Sequence, residues 1–275
     1  MPALKTGPME RDETLAAGRS ALRAATNRLA DLIRPLPELE QPIPGSEWSA
    51  RQGVAHLVTV LDLYTEIATG TPSPIAVCAP TAFADDARRR IADVAETNPA
   101  KLAYLLDDAS DRFVSAVTGP AGDTPVTWHA GIELDVAALV GMLVGEFVLH
   151  GFDVALAARR PWPLVADEVA LVLGAYGPLM GISLDADRTR DLDAAVAVEL
   201  RGLASFVACF DAGRFSLEPA GARPADATLS ADPAAFLLVT AGRMDRWPAF
   251  ALGLYEAGGP RPELAVGFKD FFVCP

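Results

Sequence analysis

Apolar residues recur at helical spacing through the first 160 residues of the chain. In the stretch 10–34, Leu15, Leu22, Leu29 and Ile33 fall close to a 3.6-residue period. The same pattern, with its end signals, predicts further helices over 49–69, 82–96, 99–118 and 135–159. The stretch 82–96 is rich in charge and is expected at the periphery. The other four are long and connected in sequence, which predicts a four-helix bundle.

The polar residues at the expected helix starts support these boundaries. Ser49 and Gln52 have the spacing of a capping box, in which each side chain bonds the backbone N–H of the other residue. Asn98 precedes Pro99, an N-cap followed by proline at the first helical position. Asp135 is placed to cap the fourth bundle helix in the same way.

After about residue 187 the pattern changes from long helices to short alternating segments. Five of these are predicted as strands: 194–202, 205–210, 213–218, 226–230 and 263–267. They surround an apolar helical stretch at 232–243. We therefore predict a helix bundle over 1–165, a helical linker over 166–187 and a small α+β domain over 188–275.

Charge and cysteine content limit the partners that we expect. The net charge of -13 disfavours nucleic acid and anionic membrane surfaces. The three cysteines, Cys78, Cys209 and Cys274, form no metal-binding spacing, and the first residues lack an apolar signal segment. These features predict a cytoplasmic protein, as a monomer or homodimer, with small-molecule partners.

The stretch 136–157 is apolar and long enough to cross a bilayer. A carboxylate near its centre would oppose insertion, because a charge at that depth costs about 2.5–3.5 kcal/mol. We therefore predict that this segment is the core helix of the bundle rather than a membrane span.

That carboxylate, Glu146, is the only ionisable residue between positions 136 and 149. His150 follows four residues later, so both side chains lie on one helix face. His56 lies midway along the second predicted helix, and bundles build their sites from inward side chains of facing helices. Two imidazoles and a carboxylate leave a fourth position open on a zinc ion, which is the pattern of catalytic zinc sites.

Other interpretations of these residues remain open at this point. His56 is alternatively a hydrogen-bonded core histidine, and Glu146 is alternatively paired with Arg23 or Arg112. Asp153 lies three residues beyond His150 on the same face, where it would hold an imidazole N–H or pair with a neighbouring arginine.

Two segments resemble the mycothiol-dependent maleylpyruvate isomerase and DinB-like metalloprotein family. One is EWSARQGVAHL at 47–57, and the other is GEFVLHGFDVALAARRPWPL at 145–164. The resemblance covers roughly residues 10–165 and implies a four-helix bundle with metal ligands at His56, Glu146 and His150. It also implies that the thiol mycothiol is the cosubstrate.

The second domain resembles the sterol-carrier-type domain that accompanies such bundles, mainly through LSADPAAFLLVTAGR at 229–243. In the isomerase an arginine of this region assists catalysis, and Arg243 is the residue that matches it. An arginine that caps the end of its own helix is the alternative for Arg243.

The resemblance implies a zinc-dependent enzyme that activates mycothiol for isomerisation of, or sulfur transfer to, a small electrophile. Zinc-dependent hydrolysis with Asp153 as general base is a second possibility. A third is a non-catalytic module that holds a lipid or another hydrophobic ligand in its second domain.

Overall fold

The computed structural model describes residues 8–273, so Cys274 lies outside the described residues. These residues divide into two compact units, one that runs up to Ala175 and one that begins at Tyr176. The first is helical, and the second is built on a β-sheet. The predicted fold class, a helix bundle followed by a small α+β domain, is confirmed. The predicted limits of the linker over 166–187 stay a prediction.

Five helices form the body of the first unit. They are α1 (Pro8–Ile33), α2 (Ala50–Ala68), α3 (Pro80–Asp93), α4 (Pro99–Ala116) and α5 (Val136–Ala157). Both α1 and α2 pack against α4 and α5, which makes the four-helix bundle. The short α3 packs on α2, outside the ring of four, as its charged sequence predicts.

Three helices begin at the residues that the sequence indicates. Ser49 accepts from the Gln52 backbone N–H at 3.4 Å, and the Gln52 side chain accepts from the Ser49 N–H at 2.9 Å. Asn98 accepts from two backbone N–H groups of the first turn of α4. Asp135 accepts from the Ala138 N–H at 2.7 Å. The caps satisfy N–H groups that have no partner within the helix.

Helix α5 is the core helix of the bundle. It is the one described helix whose length and composition would allow it to cross a membrane, and 72% of its most apolar window is buried inside the protein. Glycines let α1 and α2 approach it closely. A Cβ at Gly18 would lie 2.7 Å from Val140, and one at Gly53 would lie 3.1 Å from Val154. Close approach of α2 to α5 is what brings their polar side chains together.

Shorter elements complete the first unit. Strands β1 (Pro125–Thr127) and β2 (Glu133–Asp135) pair antiparallel across a short 3-10 turn at His129–Gly131. The predicted helical stretch after residue 165 forms α6 (Ala166–Tyr176) and then a 3-10 segment, Gly177–Ser183.

The second unit contains a mixed five-stranded sheet. Its strands are β3 (Asp193–Leu200), β4 (Ala204–Asp211), β5 (Arg214–Pro219), β6 (Ala227–Ala231) and β7 (Tyr255–Gly258), in the spatial order β5-β4-β3-β6-β7. Only the β3–β6 pair is parallel among these neighbours. Four short helices accompany the sheet: α7 (Ala186–Thr189), α8 (Pro233–Thr240), α9 (Arg246–Ala251) and α10 (Pro262–Val266).

One predicted strand is wrong. The segment 263–267 is not extended, because Pro262–Val266 forms the single-turn helix α10, which packs on β6 and β7. Proline at the first helical position has a suitable fixed φ, and Glu263 lies where the helix dipole favours an acid. Five residues are too few for alternation to separate strand from helix. The fifth strand is instead β7, which pairs with β6 from Tyr255 to Gly258.

Candidate metal centre

Two facing helices of the bundle bring the three predicted metal ligands together. His56 projects from α2, and Glu146 and His150 project from α5. One ligand atom from each lies within 4.8 Å of the others. Glu146 Oε2 is 3.3 Å from His56 Nε2 and 3.4 Å from His150 Nε2. The two imidazole rings meet edge to face, with centroids 4.7 Å apart.

These distances fit shared metal ligands better than strong hydrogen bonds. A charge-assisted N–H···O bond is about 2.7–2.9 Å long. A tetrahedral zinc ion with bonds of about 2.1 Å separates its ligand atoms by about 3.4 Å. The nitrogen and oxygen donors are also those that zinc and similar divalent ions accept. The residues therefore fit a divalent metal ion.

Asp153 orients one of the two imidazoles. Its Oδ2 lies 3.1 Å from Nδ1 of His150, as predicted for a residue that holds an imidazole N–H. A proton on Nδ1 leaves the lone pair of Nε2 facing the Glu146 oxygen. Two acceptor atoms at that distance repel unless a cation or a proton lies between them.

His56 has no carboxylate on its Nδ1 like the one that orients His150. Its Nδ1 is buried and has no hydrogen-bond partner among the described residues. Its backbone carbonyl accepts from the Thr59 hydroxyl at 2.9 Å. Burial lowers the pKa of His56, although its hydrogen bond to Glu146 opposes the shift. The ring is therefore neutral near pH 7 and offers a lone pair to a metal.

Glu146 is ionised in spite of its surroundings. Burial alone would raise the pKa of its carboxyl, but hydrogen bonding to His150 and His56 in the metal-free centre outweighs burial and lowers it. An ionised carboxylate between two histidines places one negative charge at the centre, which a divalent cation would stabilise.

Trp48 forms one wall of the centre. Its ring centroid lies 4.9 Å from that of His56 and 5.8 Å from that of His150. It directly precedes the Ser49 cap, so the capping box that starts α2 also fixes the position of this wall. Trp48 and Val94 pack against a small cluster of buried apolar residues, Ala55, Ala87 and Ile91.

The arginine partners proposed for Glu146 are engaged elsewhere. Arg23 pairs with Asp111 at 3.4 Å, and Arg112 pairs with Asp62 at 2.7 Å and with Asp108. The histidines, and not either of these arginines, are the neighbours of the Glu146 carboxylate.

Arg243 lies just after the end of α8. Its Nη1 donates to the Ala241 carbonyl oxygen at 2.8 Å, a contact of the kind expected of an arginine at a helix end. A catalytic role for Arg243 stays a prediction.

A second buried polar cluster in the bundle was not predicted. Ser73 Oγ lies 2.5 Å from Nδ1 of His129, and Trp128 Nε1 donates to the Tyr64 hydroxyl at 3.3 Å. Burial lowers the pKa of His129 to about 4, so the ring is neutral. Tyr64 projects from α2, but Ser73, Trp128 and His129 lie in a loop and a turn, where no periodicity marks a side chain as buried. The adjacent aromatic and histidine at 128–129 were the only signal.

Comparison with known proteins assigns families to both parts of the chain. Residues 22–155 match the family described as mycothiol maleylpyruvate isomerase N-terminal domain. Residues 182–259 match the SCP-2 sterol transfer family. A search of curated proteins finds no match.

Two similar solved structures are those of the mycothiol-dependent maleylpyruvate isomerase and of a histidine-to-alanine mutant of it. Each is 16% identical to this chain with a TM-score of 0.54, and the alignment covers 89% of this chain and 92% of the other. At this identity the likeness supports the fold alone.

Proposed function

Because the chain joins a domain of the mycothiol maleylpyruvate isomerase N-terminal family to a domain of the SCP-2 sterol transfer family, we propose that it is a zinc-dependent enzyme that activates a small thiol. The thiol in this proposal is mycothiol. The reaction is isomerisation of, or sulfur transfer to, a small electrophilic molecule. The observation that carries the proposal is the convergence of His56, Glu146 and His150.

The roles of the protein groups follow from their positions. His56 and His150 would hold the ion through neutral nitrogens, and Glu146 would neutralise part of its charge. Asp153 would keep His150 in the tautomer that leaves Nε2 unprotonated. A divalent ion at this position would favour the thiolate form of a bound thiol near neutral pH.

The thiolate is the nucleophile in this proposal. The thiol loses its proton to water, and its sulfur adds to one carbon of an electron-poor double bond, whose π electrons move onto the adjacent carbonyl as an enolate. Rotation of the enolate and expulsion of the thiolate re-form the double bond and give isomerisation, and protonation of the enolate retains the sulfur and gives sulfur transfer. Burial raises the pKa of the Cys78 thiol, so Cys78 is a weaker candidate for the nucleophile than mycothiol. Arg243 remains our proposed contact for a carboxylate of the substrate.

Metal analysis of the purified protein tests the proposal directly. We expect about one equivalent of zinc in the wild type and almost none in His56→Ala, because a two-ligand site holds zinc far less tightly than a three-ligand site. Arg23→Ala, a surface change on α1, is the control and should retain the metal. Equal metal in wild type and His56→Ala would contradict the site.

Calorimetric titration with mycothiol then separates thiol activation from hydrolysis. Heat from the zinc-loaded protein and none from the chelated protein is the expected result. Turnover of an electrophile without added thiol would instead favour hydrolysis with Asp153 as general base.

The SCP-2 match supports a second candidate function. In this alternative the protein is a non-catalytic module whose C-terminal domain holds a lipid or another hydrophobic ligand. Lipid extracted from the purified protein, together with absence of bound metal, would favour it.

We also propose that the protein acts in the cytoplasm as a monomer or homodimer on small molecules, without nucleic acid or membrane. The net charge of -13 is the support for excluding polyanionic partners.

A further inference from the structure

A serine and a histidine outside the metal centre are placed as a nucleophile and its base. Ser73 lies in the loop between α2 and α3, and its Oγ is 2.5 Å from Nδ1 of His129. The Ile75 backbone N–H donates to the same Oγ at 3.1 Å, so the hydroxyl keeps its own proton to donate to Nδ1. A hydroxyl that donates to a neutral imidazole is the arrangement by which a histidine activates a serine.

The turn that carries His129 has a strained backbone. In this turn, His129–Gly131, Ala130 has a φ of 55°. An alanine seldom adopts this left-handed conformation, because its Cβ crowds the backbone, and strain of this kind collects at functional sites. The Ala130 N–H donates to the Ile75 carbonyl oxygen at 2.7 Å. This bond joins the turn of the histidine to the loop of the serine, so it fixes the distance between the two side chains.

Aromatic rings enclose the imidazole of His129. Its ring centroid is 4.1 Å from that of Trp128, 5.5 Å from that of Phe83 and 6.4 Å from that of Tyr64. Because His129 is also only 4% exposed, its ring has little room to turn away from Ser73. The serine hydroxyl therefore meets a base that is held in one position.

Burial also keeps this base in its neutral form, because it lowers the pKa of His129 to about 4. The charges of Asp86 and Glu146 oppose this shift, and the charge of Arg90 adds to it. Tyr64 contributes no charge, because burial raises the pKa of its hydroxyl. The imidazole is therefore unprotonated near neutral pH, although a base with so low a pKa is a weak one.

Ser73 is more accessible than its base and has a restricted backbone. It is half-buried and lies between two exposed prolines, Pro72 and Pro74. Proline fixes its own φ and also limits the conformations of the residue before it. The loop therefore loses little conformational freedom when it presents the hydroxyl, and a small molecule can reach Ser73 from the solvent.

We propose that Ser73 is a nucleophile activated by His129, and that it accepts an acyl group from a small reactive ester or thioester. The Oγ forms a bond to the acyl carbon and its proton passes to Nδ1 of His129. The bond from that carbon to the alcohol or thiol breaks, and the leaving group takes the proton from the imidazolium. Water then displaces the acyl group as a carboxylic acid, with His129 again as the base. This activity goes beyond the proposed function, because it uses no group of the metal centre.

Mixing the full-length protein with p-nitrophenyl acetate in the presence of a chelator tests the proposal, since the chelator removes hydrolysis by a metal-bound hydroxide. We expect a burst of about one equivalent of p-nitrophenolate, followed by slower release because a weak base limits deacylation. Peptide mass spectrometry should place the acetyl group on Ser73. Ser73→Ala should abolish the burst. Ser115→Ala, an exposed position on α4, and Cys78→Ala, which removes the nearby thiol, should both keep it.

The role of His129 has its own readouts. His129→Gln should slow the burst about 100-fold, the lower end of what a general base contributes. The wild type tests the same role without a variant. Its burst rate constants at about pH 5.5 and about pH 7.5 should agree within about twofold, because the imidazole is neutral at both. An unassisted hydroxyl reacts as its alkoxide and would be about 100-fold slower at the lower pH.

Four results would overturn the proposal: no burst in the wild type, an undiminished burst in Ser73→Ala, an acetyl group on another residue, or the 100-fold fall with pH that an unassisted hydroxyl shows. Metal content, measured before the chelator is added, reports separately on the proposed function. A protein without metal that still acetylates Ser73 retains this activity but not the metal-dependent one.

Discussion

Glu146 is the residue on which the candidate metal centre depends, because one of its carboxylate oxygens faces a nitrogen of each histidine. An isolated carboxylate inside an apolar helix is costly, and hydrogen bonding to the two imidazoles outweighs this cost in the metal-free centre. From the sequence, its isolation and the i, i+4 spacing to His150 were sufficient to identify the pair. The contribution of His56 needed the close packing of α2 on α5, which no local pattern encodes.

Asp153 gives a prediction at the residue scale. In Asp153→Asn the acceptor for the His150 N–H is weakened and the imidazole loses its fixed tautomer. Loss of such a partner lowers metal affinity by about 10–100-fold, which we expect in a competition titration with a chelator. Asp62→Asn removes the same charge from a pair on the bundle surface and should leave affinity unchanged. Equal affinities in the two variants would mean that Asp153 does not support the ligand.

The first residues of three helices were predictable from the sequence because N-terminal capping depends on neighbouring residues alone. Ser49, Asn98 and Asp135 each accept a backbone N–H within their own first turn, so a few neighbouring residues determine the boundary. The strand predicted at 263–267 was wrong for the opposite reason. The choice between α10 and a strand depends on how the segment packs on β6 and β7, and that information lies elsewhere in the chain.

The end of α5 that carries His150 gives a prediction at the element scale. A Cβ at Gly151 would lie 2.2 Å from the Trp162 ring, and Trp162 Nε1 donates to the Val148 carbonyl oxygen at 3.2 Å. In Gly151→Ala the ring must move, and overpacking of this kind costs about 1–3 kcal/mol of unfolding free energy. We expect that loss in urea unfolding of the metal-free protein, followed by tryptophan fluorescence.

Gly174→Ala is the matched control for this change. Gly174 also lies within a helix, but a Cβ there meets no atom within 4 Å. Removing the backbone freedom of glycine should raise the unfolding free energy by about 0.5–1 kcal/mol. If Gly151→Ala were as stable as this control, the contact with Trp162 would not restrict the helix.

At the scale of the whole molecule, the chain contains two units with separate cores. The first is centred on α5, and the second on inward residues of the sheet such as Val196, Val198 and Phe210. The change from helical to alternating periodicity near residue 187 predicted this division into classes of structure. The sequence pattern did not predict the order of the five strands, because the parallel β3–β6 pairing joins segments that are distant in the chain.

All three predicted metal ligands lie in the first unit, so zinc should stabilise that unit alone. A ligand at one hundred times its dissociation constant adds about 2.7 kcal/mol to the unfolding free energy of the unit that binds it. For a unit of this size that corresponds to a rise of about 5–10 °C in its unfolding temperature.

A variant with tryptophan in the first unit alone can test this prediction. In Trp247→Phe the remaining tryptophans all lie in the first unit, so their fluorescence follows that unit while calorimetry follows both. Zinc should move the fluorescence transition and leave a second calorimetric transition in place, and His56→Ala should lose the shift. A single transition that moves as a whole would show that the two units unfold together. If zinc did not change the fluorescence transition of the Trp247→Phe protein, the assignment of the metal site to the bundle would be contradicted.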